Sequence, residues 1–252
     1  MIQSVGLIIL AAVLSARPAG ARTDPGYRIV QNVSVAGGPV QILEDARLTP
    51  ALARKMWGTS VDPAFVLGDD APEARTFKAQ PLRPAKLRQV DRSGAVIQNI
   101  VLDDQAPIAR VEPRRLGSSA HPVFLITTDN SAGFGSYSGL VTALYGLRSG
   151  RLEPVRAKGQ DQHAEAVVLM NTLKSGWRII DRSPTHTLIE QLLCRPDLDH
   201  DKAGEDARFQ LTYVTYWYDG RDWRMAKRLT PGFWENEGDW PAVSNFPKVD
   251  TR

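Results

Sequence analysis

The sequence predicts a mainly β protein: an antiparallel β-sandwich or barrel-like single domain carrying one short helix. Three observations lead there. Polar–glycine turn signals stand between apolar runs at Asp91-Arg92-Ser93-Gly94, Leu147-Arg148-Ser149-Gly150, Leu173-Lys174-Ser175-Gly176 and Tyr218-Asp219-Gly220-Arg221, the short-range signature of β-hairpins. Residues 140–147 alternate between two largely apolar sets, which suits a strand covered on both faces. Residues 49–58 alone carry the start and stop marks of a helix. The turn glycines are spaced 56, 26 and 44 residues apart. That spacing is too uneven for a strict repeat, so a partial or degenerate β-propeller stands second to the sandwich.

From the amino terminus, residues 5–16 are apolar but too few for a membrane span, and Ala19-Gly20-Ala21 offers a small-x-small cleavage site. Residues 1–21 therefore read as a signal peptide and 22–252 as the mature β domain, periplasmic or secreted, with no membrane span left after cleavage. No positive charge precedes the apolar run, and an uncleaved anchor is the alternative. Cleavage removes Arg17 and leaves 30 basic against 28 acidic residues. So even a balance makes no global electrostatic case for a nucleic-acid partner. Cys194 is the single cysteine, so stability rests on a hydrophobic core rather than on disulfides. It follows Leu192 and Leu193 and reads as a buried, inert thiol.

Residues 27–35 read as a first strand, broken by Gly37-Gly38-Pro39. In the helix, Thr49 is the N-cap, Pro50 fits the first helical position, Leu52, Met56 and Trp57 form the apolar side, and Gly58 stops it. Residues 71–92 change character: Pro72, Pro81 and Pro84 favour extended backbone, and Arg75, Lys78, Arg83, Lys86, Arg88 and Arg92 gather there. This stretch reads as a solvated connector or edge strand and marks a sub-boundary within the domain. Its other reading is a patch for an anionic partner.

The centre of the sheet falls within residues 121–155, where a loop containing Gly133, Gly135 and Gly139 separates two strand-like runs. Ser131, Ser136, Phe134 and Tyr137 make it a candidate binding loop on a rigid scaffold; the alternative is a long hairpin connection whose aromatics fold back on the sheet. The run Ser131-Ala132-Gly133-Phe134-Gly135-Ser136-Tyr137 resembles the loops that some periplasmic lysozyme inhibitors insert into an enzyme cleft, which implies a protein-binding role. The single cysteine departs from the disulfide such inhibitors often carry.

The carboxy-terminal third is rich in aromatics. Phe209, Leu211, Tyr213, Thr215 and Trp217 share one strand face, and Gln210, Thr212, Val214, Tyr216 and Tyr218 the other. These rings read first as core; second, the face carrying Tyr216 and Tyr218 reads as a platform for sugar stacking, with Glu235, Glu237 and Asp239 to supply hydrogen bonds, and Trp217, Trp234 and Glu235 are the candidate contacts. Catalytic signatures are missing. Asp197-Leu198-Asp199-His200-Asp201 begins like a calcium loop, but Lys202 and Arg208 stand where an EF-hand needs glycine and glutamate. His121, His163, His186 and His200 show no metal-ligand spacing, and the glycine loop is neither a phosphate loop nor a nucleophile elbow. No cofactor and no metal is expected.

The function these readings favour is an exported, non-catalytic binding protein of the bacterial cell envelope, with a protein or glycan partner. A glycoside hydrolase of the envelope is second; it would need two of Asp129, Glu235, Glu237 and Asp239 to face each other across a cleft. A structural envelope component is third.

Overall fold

The computed structural model describes residues 24–35, 38–117, 122–183, 186–197 and 208–249. The proposed signal segment, His121, His200 and the Asp199–Asp201 part of the calcium-like run lie outside them. The chain is mainly β, 50% strand and 11% helix, in antiparallel sheets that do not close into a barrel. Among the described residues, no helix is long and apolar enough to cross a membrane.

The first sheet is a meander of β1 (Tyr27–Val33), β2 (Val40–Asp45), β3 (Lys86–Val90) and β4 (Val96–Val101), in that spatial order. Between β2 and β3 the chain makes three short helices: α1 (Pro50–Met56), α2 (Pro63–Leu67) and α3 (Pro72–Ala79). The helix read from the sequence is α1. Thr49 Oγ1 accepts from Leu52 N (3.2 Å), and Leu52 and Met56 are buried against Leu48 and Ile108. The other two are departures from the expectation of one helix and of extended backbone after residue 71. Pro63 and Pro72 open helices instead of breaking them, because an amide at the first helical turn has no partner to lose. Asp62 caps α2 through Ala64 N at 2.8 Å.

A clamp closes the base of this insertion. Arg47 binds both oxygens of Asp45 and the carbonyls of Gln80 and Pro81, while Arg83 N donates to Asp45 Oδ2. Asp45 is buried, which on its own would raise its pKa. The hydrogen bonds from Arg47 and the amides of Arg47 and Arg83 outweigh burial and hold it at about 2. The basic residues beyond α3 also find partners within the chain. Arg83 reaches Pro25 O, and Lys86 binds Asp24 while lying 4.0 Å from the Tyr27 ring centroid. Arg88, nearly fully buried, donates to Asn99.

The second sheet runs, in spatial order, β10 (Ala164–Ala166), β9 (Arg156–Lys158), β15 (Trp223–Pro231), β14 (Phe209–Tyr218), β13 (His186–Pro196), β12 (Ser175–Ser183), β11 (Val168–Thr172), β7 (Gly139–Arg148), β6 (Val123–Asn130) and β5 (Ala109–Arg114). β8 (Arg151–Pro154) also pairs with β7, beside the half that β11 leaves uncovered. The β7–β8 turn is Ser149-Gly150, both with positive φ (49° and 77°), the geometry that matches hairpin twist. Gly94 and Gly220 also sit in turns with positive φ. Gly176 does not: the hairpin turns earlier, at Leu173-Lys174, and Gly176 lies in β12 where a Cβ would come 3.0 Å from Trp240.

β8 and β9 form one run broken at Val155. Val155 N donates to Leu144 O, and Val155 O accepts from Val167 N. The run thus belongs to β7 at one end and, through a parallel pair, to β15 at the other. The sheet curls around a core that includes Leu125, Leu144, Leu169, Ile189, Val214 and Met225. Its opposite face, with Phe124, Ile126 and Val111, meets Val40, Ile42 and Leu87 of the first sheet, which makes the sandwich. Glutamines fasten the two sheets at their rims. Gln31 bonds to both N and O of Val111; Gln89 accepts from Leu152 N, and Gln98 donates to Leu152 O.

Candidate functional site

The loop at residues 131–139 begins where β6 ends in Asp129 and Asn130. Asp129 is fully buried; Oδ2 accepts from Gly58 N (2.7 Å), just past α1, and Oδ1 from Ser131 N (3.0 Å). Ser131, also buried, accepts Val61 N on its carbonyl at 2.7 Å, and Ala132 forms an isolated bridge with Ser60. The base of the loop is thereby fixed to the 58–61 segment. Gly133 has φ +80°, and a Cβ there would fall 2.7 Å from the Phe65 ring. Only glycine lets Phe65 of α2 lie against the loop.

Beyond that base the loop turns outward. Ser138 Oγ bonds to Phe134 O (2.9 Å), with Gly135 O also within 3.1 Å. Ser136 O accepts Lys174 N from the β11–β12 turn. Held at both ends, the loop presents Phe134 with 77% of its surface exposed; Phe65 beside it is 52% exposed and Tyr137 45%.

Two recesses flank these rings. One, of about 360 Å³, is lined by Gly58, Thr59, Phe134, Ser138, Asn171 and Thr172 among others. The other, of about 310 Å³ and mostly apolar, is lined by Tyr137, Met170, Lys174, Leu193, Cys194 and Arg195 among others. Partial burial pushes the Tyr137 hydroxyl above the ordinary tyrosine value. Lys174 is the residue that sequence reasoning missed. It is buried, its Nζ lies 2.7 Å from Glu235 Oε1 and 3.5 Å from the Phe233 ring centroid, and its carbonyl accepts Cys194 N. The only sequence signal was a lysine in a hairpin turn, which ordinarily points to solvent.

Of the residues singled out from the sequence, Ser131, Phe134, Ser136 and Tyr137 share the loop, and Glu235 joins them through Lys174. Trp217 does not. It lies opposite Leu188 and Arg224, six positions along β14 from Leu211 and so about 20 Å from the recess end of that strand. Trp234 is packed inside a cluster with Trp240, Phe246 and Tyr213, its Nε1 donating to Asp239 O. The β14 face considered for sugar stacking is filled by the core: Val214 and Tyr216 are buried, and burial pushes the Tyr216 hydroxyl up to about 12. Cys194 is buried, as its neighbours suggested.

Of the carboxylates weighed for glycoside cleavage, Asp129 is spent on backbone amides and Glu235 is paired with Lys174, while Glu237 and Asp239 are exposed. Among the described residues no group of three or more metal-ligating side chains gathers, and His163 is exposed on a loop. The chain matches no family model, no curated protein and no solved structure.

Proposed function

We propose that the protein is an exported, non-catalytic binding protein of the bacterial cell envelope. It engages another exported protein or an envelope polymer through the loop at residues 131–139. The observation that carries this reading is Phe134, the most exposed large apolar side chain of the described residues, on a loop whose base is buried and hydrogen-bonded. A phenylalanine facing water gains nothing where it stands, and a braced loop gives up little conformational entropy when it docks. Tyr137 adds a half-exposed ring with a hydroxyl to orient a partner. Export rests on the apolar run and cleavage site of residues 1–21.

Recovery of partners from an envelope extract tests the binding surface. Phe134→Ala and Tyr137→Ala should each weaken capture by about 2 kcal/mol, roughly thirtyfold, as hot-spot truncations do. Unchanged capture by both variants would remove the loop from consideration. Amino-terminal sequencing of the exported form should begin at Arg22; a full-length chain retained in the membrane would speak for an anchor.

A further inference from the structure

The sheet edges of this molecule are closed by different devices, and one edge carries fewer of them than the rest. Along β5, Gln31 occupies both backbone groups of Val111, and Pro113 and three charged residues interrupt the strand. Along β8, Gln89 and Gln98 take the amide and carbonyl of Leu152. β10 is three residues long and carries Glu165, paired with Lys227. β1 is bent by a bulge between Ile29 and Gln31. These are the ordinary means by which an edge is kept from pairing with another chain.

β4 is different. Its six residues, Val-Ile-Gln-Asn-Ile-Val, hold no charge, no proline and no glycine, and Val96 and Val101 are 39% and 49% exposed. It is the outer strand of its sheet. On its open side the exposed Arg151 lies 3.4 Å from Ile97 O.

We propose that β4 is a self-association edge, on which a second copy of this chain pairs its own β4 antiparallel. The phase of the ladder sets the register. Leu102 N donates inward to Ala85 O, so by alternation the amides of Asn99 and Val101 face outward, and the Ile97 carbonyl faces outward to Arg151. Aligning the outward-facing positions Ile97, Asn99 and Val101 with the same three of the copy puts the two-fold axis at Asn99. Asn99 then meets its own copy, and Ile97 meets the copy's Val101, an apolar cross-strand pair on each side of an amide pair. Just past the strand, Asp103 and Asp104 of one copy come alongside the Arg92-Ser93-Gly94 turn of the other, so the flanking charges are complementary as well. The two four-stranded sheets become one continuous sheet, an isologous interface of the kind common in homodimers.

Sedimentation velocity of the protein beginning at Arg22 over a concentration series tests this. The expected result is a monomer–dimer equilibrium that Val101→Pro weakens at least tenfold. The melting temperature should barely change, because that amide makes no bond within the monomer. Should the proline variant misfold, Val101→Lys serves the same purpose by placing a charge on the edge. Asn99→Cys should form an interchain disulfide on oxidation, since directly opposed residues have Cα atoms about 5.5 Å apart. Val101→Cys, off the axis, should not. A protein monomeric at every concentration, or a dimer that both Val101 variants leave at full strength, overturns the proposal. Cross-linking at 101 in place of 99 overturns the two-fold at Asn99.

Discussion

Two groups of aromatic side chains, drawn from the same residue types, are put to opposite uses in this protein. Tyr213, Trp234, Trp240 and Phe246 fill the space under the carboxy-terminal segment, edge to face or stacked at centroid distances of 5.1–5.9 Å. Phe65, Phe134 and Tyr137 lie at the glycine loop with about half or more of their surface in water. The first group lies on an eleven-stranded sheet that needs its outer face covered. The second stands on a short loop held from below. Aromatic density in this sequence therefore marks where a sheet needs covering, and the lone ring between glycines is the one left in water.

The comparison can be broken at several points, and the largest effect is expected in the covered group. Phe246→Ala removes a ring that stacks on Trp240 and meets Tyr213 edge-on, and should cost about 3–5 kcal/mol in chemical denaturation. A loss below 1 kcal/mol would mean that the carboxy-terminal segment is not part of the core. Next is the support of the exposed group. Asp129→Ala leaves the amides of Gly58 and Ser131 without an acceptor, at a cost of about 2–4 kcal/mol. It should also abolish capture of partners, since the loop loses its base.

The clamp beneath the helices that carry Phe65 should show itself through pH. With its folded pKa held at about 2, below the ordinary 3.8, ionised Asp45 favours the folded state above the unfolded value. The contribution, about 2 kcal/mol, is complete by about pH 5 and is lost as pH falls through 2. Stability curves of the native protein and Asp45→Asn should converge toward pH 2; a constant gap down to that pH would contradict the clamp. The smallest effect belongs to the exposed ring itself. Phe134→Ala should leave the unfolding free energy within about 0.5 kcal/mol. A larger loss would show that the ring supports the fold.

Much of the sheet was legible in the sequence, because alternation and turn residues are local. The strands around Leu144 and Val214, the Ser149-Gly150 turn and the Thr49 cap all depend on neighbours within a few positions. What escaped depends on distant partners. β3 reads as a solvated basic run until Asp24 and Tyr27, some sixty positions earlier, lie against Lys86. α2 and α3 were hidden because proline at a first helical turn looks like proline in a linker. The loop was found from its glycines, and Lys174 was missed because burial of a turn lysine requires Glu235 and Phe233 from another strand's end.

The broken run of β8 and β9 also bears on assembly. β15 reaches β9 only through the pairs Trp223–Ala157 and Arg224–Lys158, while it pairs with β14 along its whole length across the turn at 219–222. That parallel pair joins Ala157 to Trp223, a wider separation along the chain than any other strand pair of either sheet, and is expected to close late. Long-range pairings of this kind place a protein among slow folders, in the range of milliseconds to seconds. A chain still missing its last thirty or so residues as it is made has no β15 to meet β9. The sheet then stands open along that side, because β10 covers only the opposite edge of β9.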